Sequence, residues 1–472
     1  MLTIKNAYKF VRKRIYRWKN NTRNKKHIAE LITDDEDLRK KIIKYNKQRP
    51  YGFDSTICHL PMRSLYFGFG GIVTACCFNR KYILGKFPKN SISEIIHGEK
   101  RKILQQHLDK IDFSLGCELC NNIISLGNYM SVGARLGDIY PNQVDFPSEM
   151  VFELDNTCNL KCEMCNAKFS SAHDNGKCTI SPYDDKNFIK QLKPFIPYLS
   201  RARFLGGEPF MSKIYPEIWN AIIDANPKCK IHIQTNGTIL NDRIRSILNS
   251  GNFQIGISID TLDPTHYEKI RNGAKIEQVL ENLKFFNHIS RKNGDDLGIS
   301  VCPMKENRFD IPELVRFCND NNIIINFNCV DTEGFTLAEL SAFDLDKLAR
   351  YYKKNNPGGR NYISAHNHIV FSTLIKQVEH MKTQRAQYEY INEMIPCTKE
   401  EFKGIVLPII SSNPDIKYDE SIWEYIPENF SIKRNDYLYM KNKMGIWELK
   451  DFFGQPIENQ VRFLKDLLHK QN

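Results

Sequence analysis

The residues best suited to chemistry are three cysteines in one short loop. The stretch Val151-Phe-Glu-Leu-Asp-Asn-Thr-Cys158-Asn-Leu-Lys-Cys162-Glu-Met-Cys165 sets a C-x3-C-x2-C spacing directly behind a β-rich run. Three thiolates within eight residues can converge on one inorganic centre. Structural zinc usually wants four protein ligands, and catalytic zinc rarely takes three thiolates. A cubane iron–sulfur cluster held by three cysteines leaves one iron free to bind something else. A second set lies ahead of the first: Cys58, then Cys76 and Cys77, then Cys117 and Cys120. Four such thiolates can hold one more cubane, which suits all-cysteine ligation, or a structural zinc ion.

These loops need elements to position them. From Met150 to Thr332 the sequence repeats a short β-rich run, a turn and a longer amphipathic segment. The expected strands are Val151–Asn156, Ala202–Leu205, Lys230–Thr235, Gln254–Ile259, Gly298–Val301 and Ile323–Asn328. Between them helices are expected over Asp184–Leu199, Tyr215–Ala225, Asp242–Ser250, Ile276–Phe286 and Ile311–Asn321, the third stopped by Gly251. Such alternation implies right-handed βαβ crossovers and a parallel sheet, with ligands at the carboxyl ends of the strands. An open sheet and a partial barrel both satisfy the pattern.

With that frame, the triplet resembles the signature of the radical S-adenosylmethionine (SAM) superfamily. Gly206-Gly207-Glu208-Pro209, behind the second strand, looks like the family's GGEP motif. The resemblance implies a [4Fe–4S] cluster on Cys158, Cys162 and Cys165, its open iron chelated by SAM. One electron then cleaves the sulfonium to methionine and a 5′-deoxyadenosyl radical, which abstracts a substrate hydrogen atom. It further implies that the Gly206–Gly207 backbone approaches the SAM amino group, that Glu208 accepts from it, and that Met164 lies near the adenine. Thr235 and Asn236, Ser258 and Asp260, and Arg271 match positions that meet SAM's ribose or carboxylate in related enzymes; turn and capping chemistry is the bland alternative.

The front block, with Cys58, Gly71, Cys76, Cys117 and Cys120, is similar to the SPASM/twitch pattern of auxiliary [4Fe–4S] domains, shifted ahead of the core. Its glycine spacing prefers Cys76 over Cys77. The fold expected is therefore α/β: a partial (β/α)6 TIM-like barrel over residues 145–334. A cysteine-rich auxiliary domain (51–125) precedes it, and a mostly helical region (335–472) follows. The resemblance also implies a flavodoxin- or ferredoxin-like reductant, and as substrate a peptide, a protein side chain or a saccharide. Cys302 and Cys329, at the ends of strands five and six, are hydrogen-donor candidates or core filler. His232 is expected to be a satisfied barrel histidine, and Cys178, Cys229, Cys318 and Cys397 to be inert.

Composition bounds the rest. Net charge is +12, but ten Lys or Arg and no acid fall between Met1 and His27, which leaves about +2 for the remainder. A near-neutral body is no nucleic-acid binder on electrostatic grounds. In the arm over residues 1–50, Ile4, Tyr8, Val11, Ile15 and Trp18 form an apolar stripe among the cations. Such a helix lies in an anionic membrane surface or packs on the protein's own body. The start MLTIKNAYKF has no export signal, and fourteen cysteines then read as reduced thiols. The expected location is the cytoplasm, or peripherally at the inner membrane surface.

Overall fold

The computed structural model describes residues 36–50, 52–140, 146–176, 181–183, 186–330, 332–412, 414, 418–434, 437, 452 and 455–462. The basic arm's stripe and Cys178 lie outside them. The chain forms two compact units, one of Met1–Thr336 with Tyr352–Leu374, the other of Leu337–Tyr351 with Ile375–Asn472.

The first unit is built on a nine-stranded sheet. Six strands run parallel in chain order: β4 (Glu149–Phe152), β5 (Arg201–Phe204), β6 (Lys230–Thr235), β7 (Phe253–Ser258), β8 (Gly298–Val301) and β9 (Ile324–Phe327). Because that order never reverses, successive crossovers put their helices on one face and leave the other inward, as in a barrel; a doubly wound sheet would need a switch point. The helices between strands are α5 (Lys186–Leu192), α6 (Tyr215–Ala225), α7 (Asp242–Ser250), α8 (Pro264–Ile270), α9 (Ile276–Lys292) and α10 (Ile311–Asp320).

Three helices differ from the sequence expectation: α9 runs on past Phe286 to Lys292, and the other two differ for clear reasons. The first stops at Leu192 and resumes as a single 3-10 turn over Ile196–Tyr198, because Pro194 and Pro197 lack the amide that a continuous helix needs. The helix α8, short and begun by an Asp263 cap with Pro264 behind it, was not anticipated. The expected stop at Gly251 is present, but its φ of −135° is ordinary. The residue is small because a Cβ there would stand 2.7 Å from the ring of Phe253.

The helix-facing side of the sheet is apolar and aromatic. Phe67, Phe152 and Phe204 stack across three neighbouring strands with ring centroids 5.4 and 4.9 Å apart. Phe188 of α5 meets Phe67 edge-on at 5.5 Å, and Trp219 of α6 meets Phe204 at 5.6 Å. The opposite, inner face carries Glu149, Arg201, Arg203, His232, Gln234, Gln254, Ser258 and Ser300. Alternation of apolar outside with polar inside is the period-2 pattern of a strand.

The front block joins this sheet directly. Its strand β1 (Ser64–Phe67) pairs parallel with β4, in register Tyr66 to Val151, and β2 (Ile72–Thr74) and β3 (Gly85–Lys86) follow antiparallel. At Gly71 the backbone takes φ +84°, and a Cβ would lie 2.0 Å from the Phe87 carbonyl oxygen, so the β2–β3 approach demands glycine. Around it stand α1 (Glu36–Gln48), α2 (Ile92–His97), α3 (Glu99–Asp109) and α4 (Glu118–Ser125). Arg49, just past α1, is clamped by Asp138 through Nε at 2.9 Å and Nη2 at 2.5 Å, a buried bidentate pair.

In the first unit the far edge of the sheet is closed by Asn367, which accepts from the Ile325 amide and donates to the Ile323 carbonyl. The second unit holds a two-stranded antiparallel sheet, β10 (Met394–Thr398) with β11 (Asn429–Lys433), that the expected helical region did not include. Together with a helix over Lys399–Ser411 it buries Phe402, Val406, Ile410, Trp423 and Ile432.

Candidate active site

All three cysteines of the triplet sit in the loop that leaves β4, beneath the carboxyl ends of the neighbouring strands. Cys162 is buried, Cys158 and Cys165 half-buried. Burial pushes every one of these thiols up; neighbouring thiols add to it at Cys158 and at Cys165, which stands at about 11, whereas Arg271 works against it at Cys162. Three close thiols that resist ionisation are stable as thiolates only beside a cation, which is what a metal cluster supplies. Donors already face the sulfurs: the Leu160 amide lies 3.5 Å from Cys158 Sγ, and Arg271 Nη1 lies 3.8 Å from Cys162 Sγ. His173, which sequence reasoning missed, steadies the loop with Nε2 at 3.0 Å from the Cys162 carbonyl.

The GGEP turn packs against that loop, backbone to backbone. The Gly207 and Glu208 amides donate to the Asp155 and Thr157 carbonyls at 3.3 and 2.7 Å. A Cβ on Gly207 would stand 2.1 Å from the Thr157 oxygen, and Gly206 holds φ +96°. Glu208 is fully buried. Its Oε1 accepts from Thr235 Oγ1 (2.8 Å) and the Phe210 amide (3.1 Å), and its Oε2 from the Asn236 amide (2.7 Å). Burial nevertheless pushes it up to about 7 against those three bonds. Pro209 opens the turn that Glu208 caps. Thus Glu208 and Thr235 tie the ends of β5 and β6 together.

Asn236 extends the tie to the cysteine loop. Its Nδ2 donates to Asn159 Oδ1 at 2.9 Å, and Asn159 in turn donates to Thr238 Oγ1 at 2.9 Å. Asp260 and Arg271 form a buried pair, Nε to Oδ2 at 2.7 Å, and Asp260 Oδ1 takes the Cys302 amide at 2.7 Å. Ser258 accepts from Gln234 Nε2 at 3.0 Å. Met164 is half-buried, its carbonyl taken by Thr332. The structure therefore gathers the triplet, GGEP, Thr235, Asn236, Asp260 and Arg271 around one loop, with Ser258 lower on the inner face. Cys302 lies beside Asp260, and burial raises it to about 12, whereas Cys329 is exposed.

Since Asp260 has no solvent exposure, removing its partner strands a charge. Arg271→Gln is expected to cost about 3–5 kcal/mol of stability, read as a fall in melting temperature. Arg271→Lys, which keeps the charge but loses the planar fork, is expected to recover part of it.

In the front block, Cys58, Cys76, Cys117 and Cys120 line one cavity of about 20 Å³. Its other walls include Leu60, Phe78, Phe113, Ile124 and Val132, and Asn79 is the sole other polar residue there. Such a wall gives a water molecule too few partners. Leu60 N and Asn79 Nδ2 point at Cys58 Sγ and Cys117 Sγ, at 3.4 and 3.2 Å. Burial, then the other thiols, drives Cys58 well up; Cys117 reaches about 11. A soft, all-sulfur donor set in a dry pocket fits an iron–sulfur cluster. Four thiolates also suit a structural zinc ion, and among the described residues neither cysteine set is gathered closely enough to hold a single metal ion. Cys77 does not line the cavity; burial raises its thiol, while Arg203 and Arg80 lower it and Glu149 raises it.

Between the two cysteine sets lies Glu153, directly after β4. Tyr66 of β1 donates to its Oε2, as does Arg80 Nη2 at 3.0 Å, and Arg80 also covers the Tyr66 and Phe169 rings. Burial raises Glu153 to about 7. Folded Glu153 and Glu208 thus keep protons that an unfolded chain releases near 4.5. Their contribution is fully present below pH 4.5 and lost as pH rises through 7. Melting temperature is expected to fall from pH 6 to pH 8, and less so in Glu153→Gln. Equal slopes for the two proteins would contradict this.

Comparison with known proteins matches the Radical SAM superfamily model over residues 153–318. That segment is a radical SAM domain. An iron–sulfur cluster-binding domain of the SPASM type matches residues 58–122, ahead of the radical SAM core. The radical SAM domain implies a [4Fe–4S] cluster and SAM, and the SPASM domain an auxiliary iron–sulfur cluster.

A probable GTP 3′,8-cyclase of Methanocaldococcus jannaschii is 28% identical over 36% of this chain and 55% of its own length. The GTP 3′,8-cyclase of Mycobacterium marinum is 26% identical over 36% and 47%. The chain spans about half the length of the curated relatives it matches. Among solved structures, Streptococcus suis SuiB bound to S-adenosylmethionine aligns at TM-score 0.35 and 20% identity, covering 56% of this chain and 62% of that one. The protein anSMEcpe with bound AdoMet aligns at 0.34 and 16%, covering 44% and 59%.

His232 departs from expectation. Its Nδ1 is buried with no hydrogen-bond partner among the described residues, while the ring is hydrogen-bonded to Gln254, so it is satisfied only in part. No described helix is long and apolar enough to cross a membrane.

Proposed function

We propose that this radical SAM enzyme cleaves SAM reductively to a 5′-deoxyadenosyl radical that abstracts a hydrogen atom from a peptide or protein side chain or a saccharide. Cys158, Cys162 and Cys165 would hold the SAM cluster, and Cys58, Cys76, Cys117 and Cys120 the auxiliary one. A flavodoxin- or ferredoxin-like protein would deliver the electron. The observation that carries the reading is the packing of the GGEP backbone onto the triplet loop, which puts a buried, pre-formed amide and carbonyl surface beside three thiols.

Within that arrangement the chain's own residues have separable tasks. Arg271, held by Asp260, sets a positive charge against the Cys162 sulfur, and hydrogen bonds to cluster sulfurs are a lever on reduction potential. Glu208, Thr235 and Asn236 fix the strand ends so that the pocket does not reorganise when it fills.

The test is anaerobic reconstitution followed by iron, sulfide and zinc analysis. About eight irons per chain and no zinc are expected for two cubanes. About four irons with one zinc would make the front block a structural site. A well-folded preparation that takes up no iron would leave a non-catalytic scaffold as the better reading.

A further inference from the structure

The inner face of the sheet carries charge that the SAM chemistry does not use. Arg201 and Arg203 project onto it from β5, and His232 is the Cα partner of Arg203 on β6. Both arginine Nε atoms and His232 Nδ1 are withdrawn from solvent without a hydrogen-bond partner among the described residues. Arg201 gives one amino group to Gln254 Oε1 at 3.0 Å. The Arg203 guanidinium pairs with no described residue.

Local acids do not settle this charge. Glu149 is the Cα partner of Arg201 and already accepts from Tyr140 at 2.6 Å, so it can balance one guanidinium at most. Opposite Arg203 on β4 stands Val151. Burial, with Arg201 and Arg203 beside it, keeps His232 well below the usual histidine range, so it stays neutral. Arg203 itself is only half-buried, so its Nε is the costly, unpartnered donor, while its amino groups stay open to an incoming acceptor.

The same face leaves room for that acceptor. Gly256 and Gly298 are Cα partners; Gln234 fills the space over Gly256, its Oε1 2.3 Å from where a Cβ would stand, and the opening lies over Gly298. A Cβ at Gly298 would meet nothing nearer than 3.9 Å. Towards the SAM loop the face continues with neutral hydrogen-bonding groups. Gln234 Oε1 takes the Ser300 hydroxyl at 3.3 Å, and its Nε2 reaches Ser258 at 3.0 Å.

We propose that Arg203, with Arg201 and His232 beside it, is a recognition site for an anionic oxygen group, phosphate or carboxylate, carried by the substrate. Gln234, Ser258 and Ser300 then receive the hydroxyl or amide groups that lie between this anchor and the reacting C–H bond. The planar fork of an arginine matches both anions in bidentate fashion. This assignment rests on the reading of the chain as an enzyme with its substrate inside the barrel, and it narrows the substrate class to molecules with such a group.

The test titrates the reconstituted, SAM-loaded full chain with inorganic phosphate and, separately, with succinate, by calorimetry. At least one of the two is expected to bind saturably, and the tighter one names the group the substrate carries. Arg203→Gln is expected to weaken that binding roughly tenfold or more, with Arg203→Lys in between. Melting temperature and iron content are expected to match wild type in both variants. If neither anion saturates the wild-type protein, or if Arg203→Gln binds as well as wild type, the assignment is overturned. Formation of 5′-deoxyadenosine by the wild-type protein reads the underlying enzyme assignment separately, so the two failures are distinguishable.

Discussion

Cys162→Ala is expected to abolish 5′-deoxyadenosine formation and to lower reconstituted iron from about eight to about four per chain. The effect follows from position. Cys162 is the buried member of the triplet, it faces Arg271 Nη1 at 3.8 Å, and both flanking thiols sit on the same short loop. Without its sulfur a cubane keeps two protein ligands in that loop, too few to hold it against solvent. The front cavity shares no cysteine with the loop, so its iron is expected to survive. Cys58→Ala is the mirror experiment, with loss of the front iron and retention of SAM cleavage in the absence of substrate. Loss of all iron in Cys162→Ala would mean that the sites fold as one.

Gly207→Ala carries the second large effect. One added methyl would stand 2.1 Å from the Thr157 oxygen and 2.6 Å from two backbone carbons. Those are main-chain atoms that cannot swing aside, so the GGEP turn must separate from the cysteine loop. The amide bonds from Gly207 and Glu208 to Asp155 and Thr157 would open with it. The expected outcome is about 3 kcal/mol or more of lost stability, with SAM binding lost by equilibrium dialysis. Unchanged SAM affinity in a folded Gly207→Ala protein would show that the turn does not form the SAM surface.

Both effects also explain what could be read without coordinates. The triplet and GGEP were legible because each is local, and fixed spacing behind a strand is all their chemistry needs. The six parallel strands were legible from the alternation of short β-rich runs with amphipathic helices, and their bounds differ from the structure by a few residues. Three kinds of feature were not. Pairing of β1 with β4 is non-local, and nothing in the front block's spacing signals that it continues the core sheet. Asn79, His173 and Glu153 act through contacts across the fold, so no motif announces them. Arg201 and Arg203 did leave a trace, charge at period two in Arg-Ala-Arg-Phe, but the expected strand began at Ala202 and hid it.

The glycines and polar strand ends teach a related lesson. Resemblance implied that Glu208, Thr235, Asn236, Asp260 and Arg271 contact SAM. In the structure each has a partner within the chain, which fixes its side chain before any ligand arrives. Preorganised polar groups of that kind cost little rearrangement on binding, so the two roles are compatible.

The measurement that tests the central claim most directly is the dithionite-dependent conversion of SAM by the anaerobically reconstituted wild-type protein, followed by chromatography. The account predicts 5′-deoxyadenosine and methionine in equal amounts, dependent on reductant and absent in Cys162→Ala. A folded, iron-loaded protein that leaves SAM intact would contradict it.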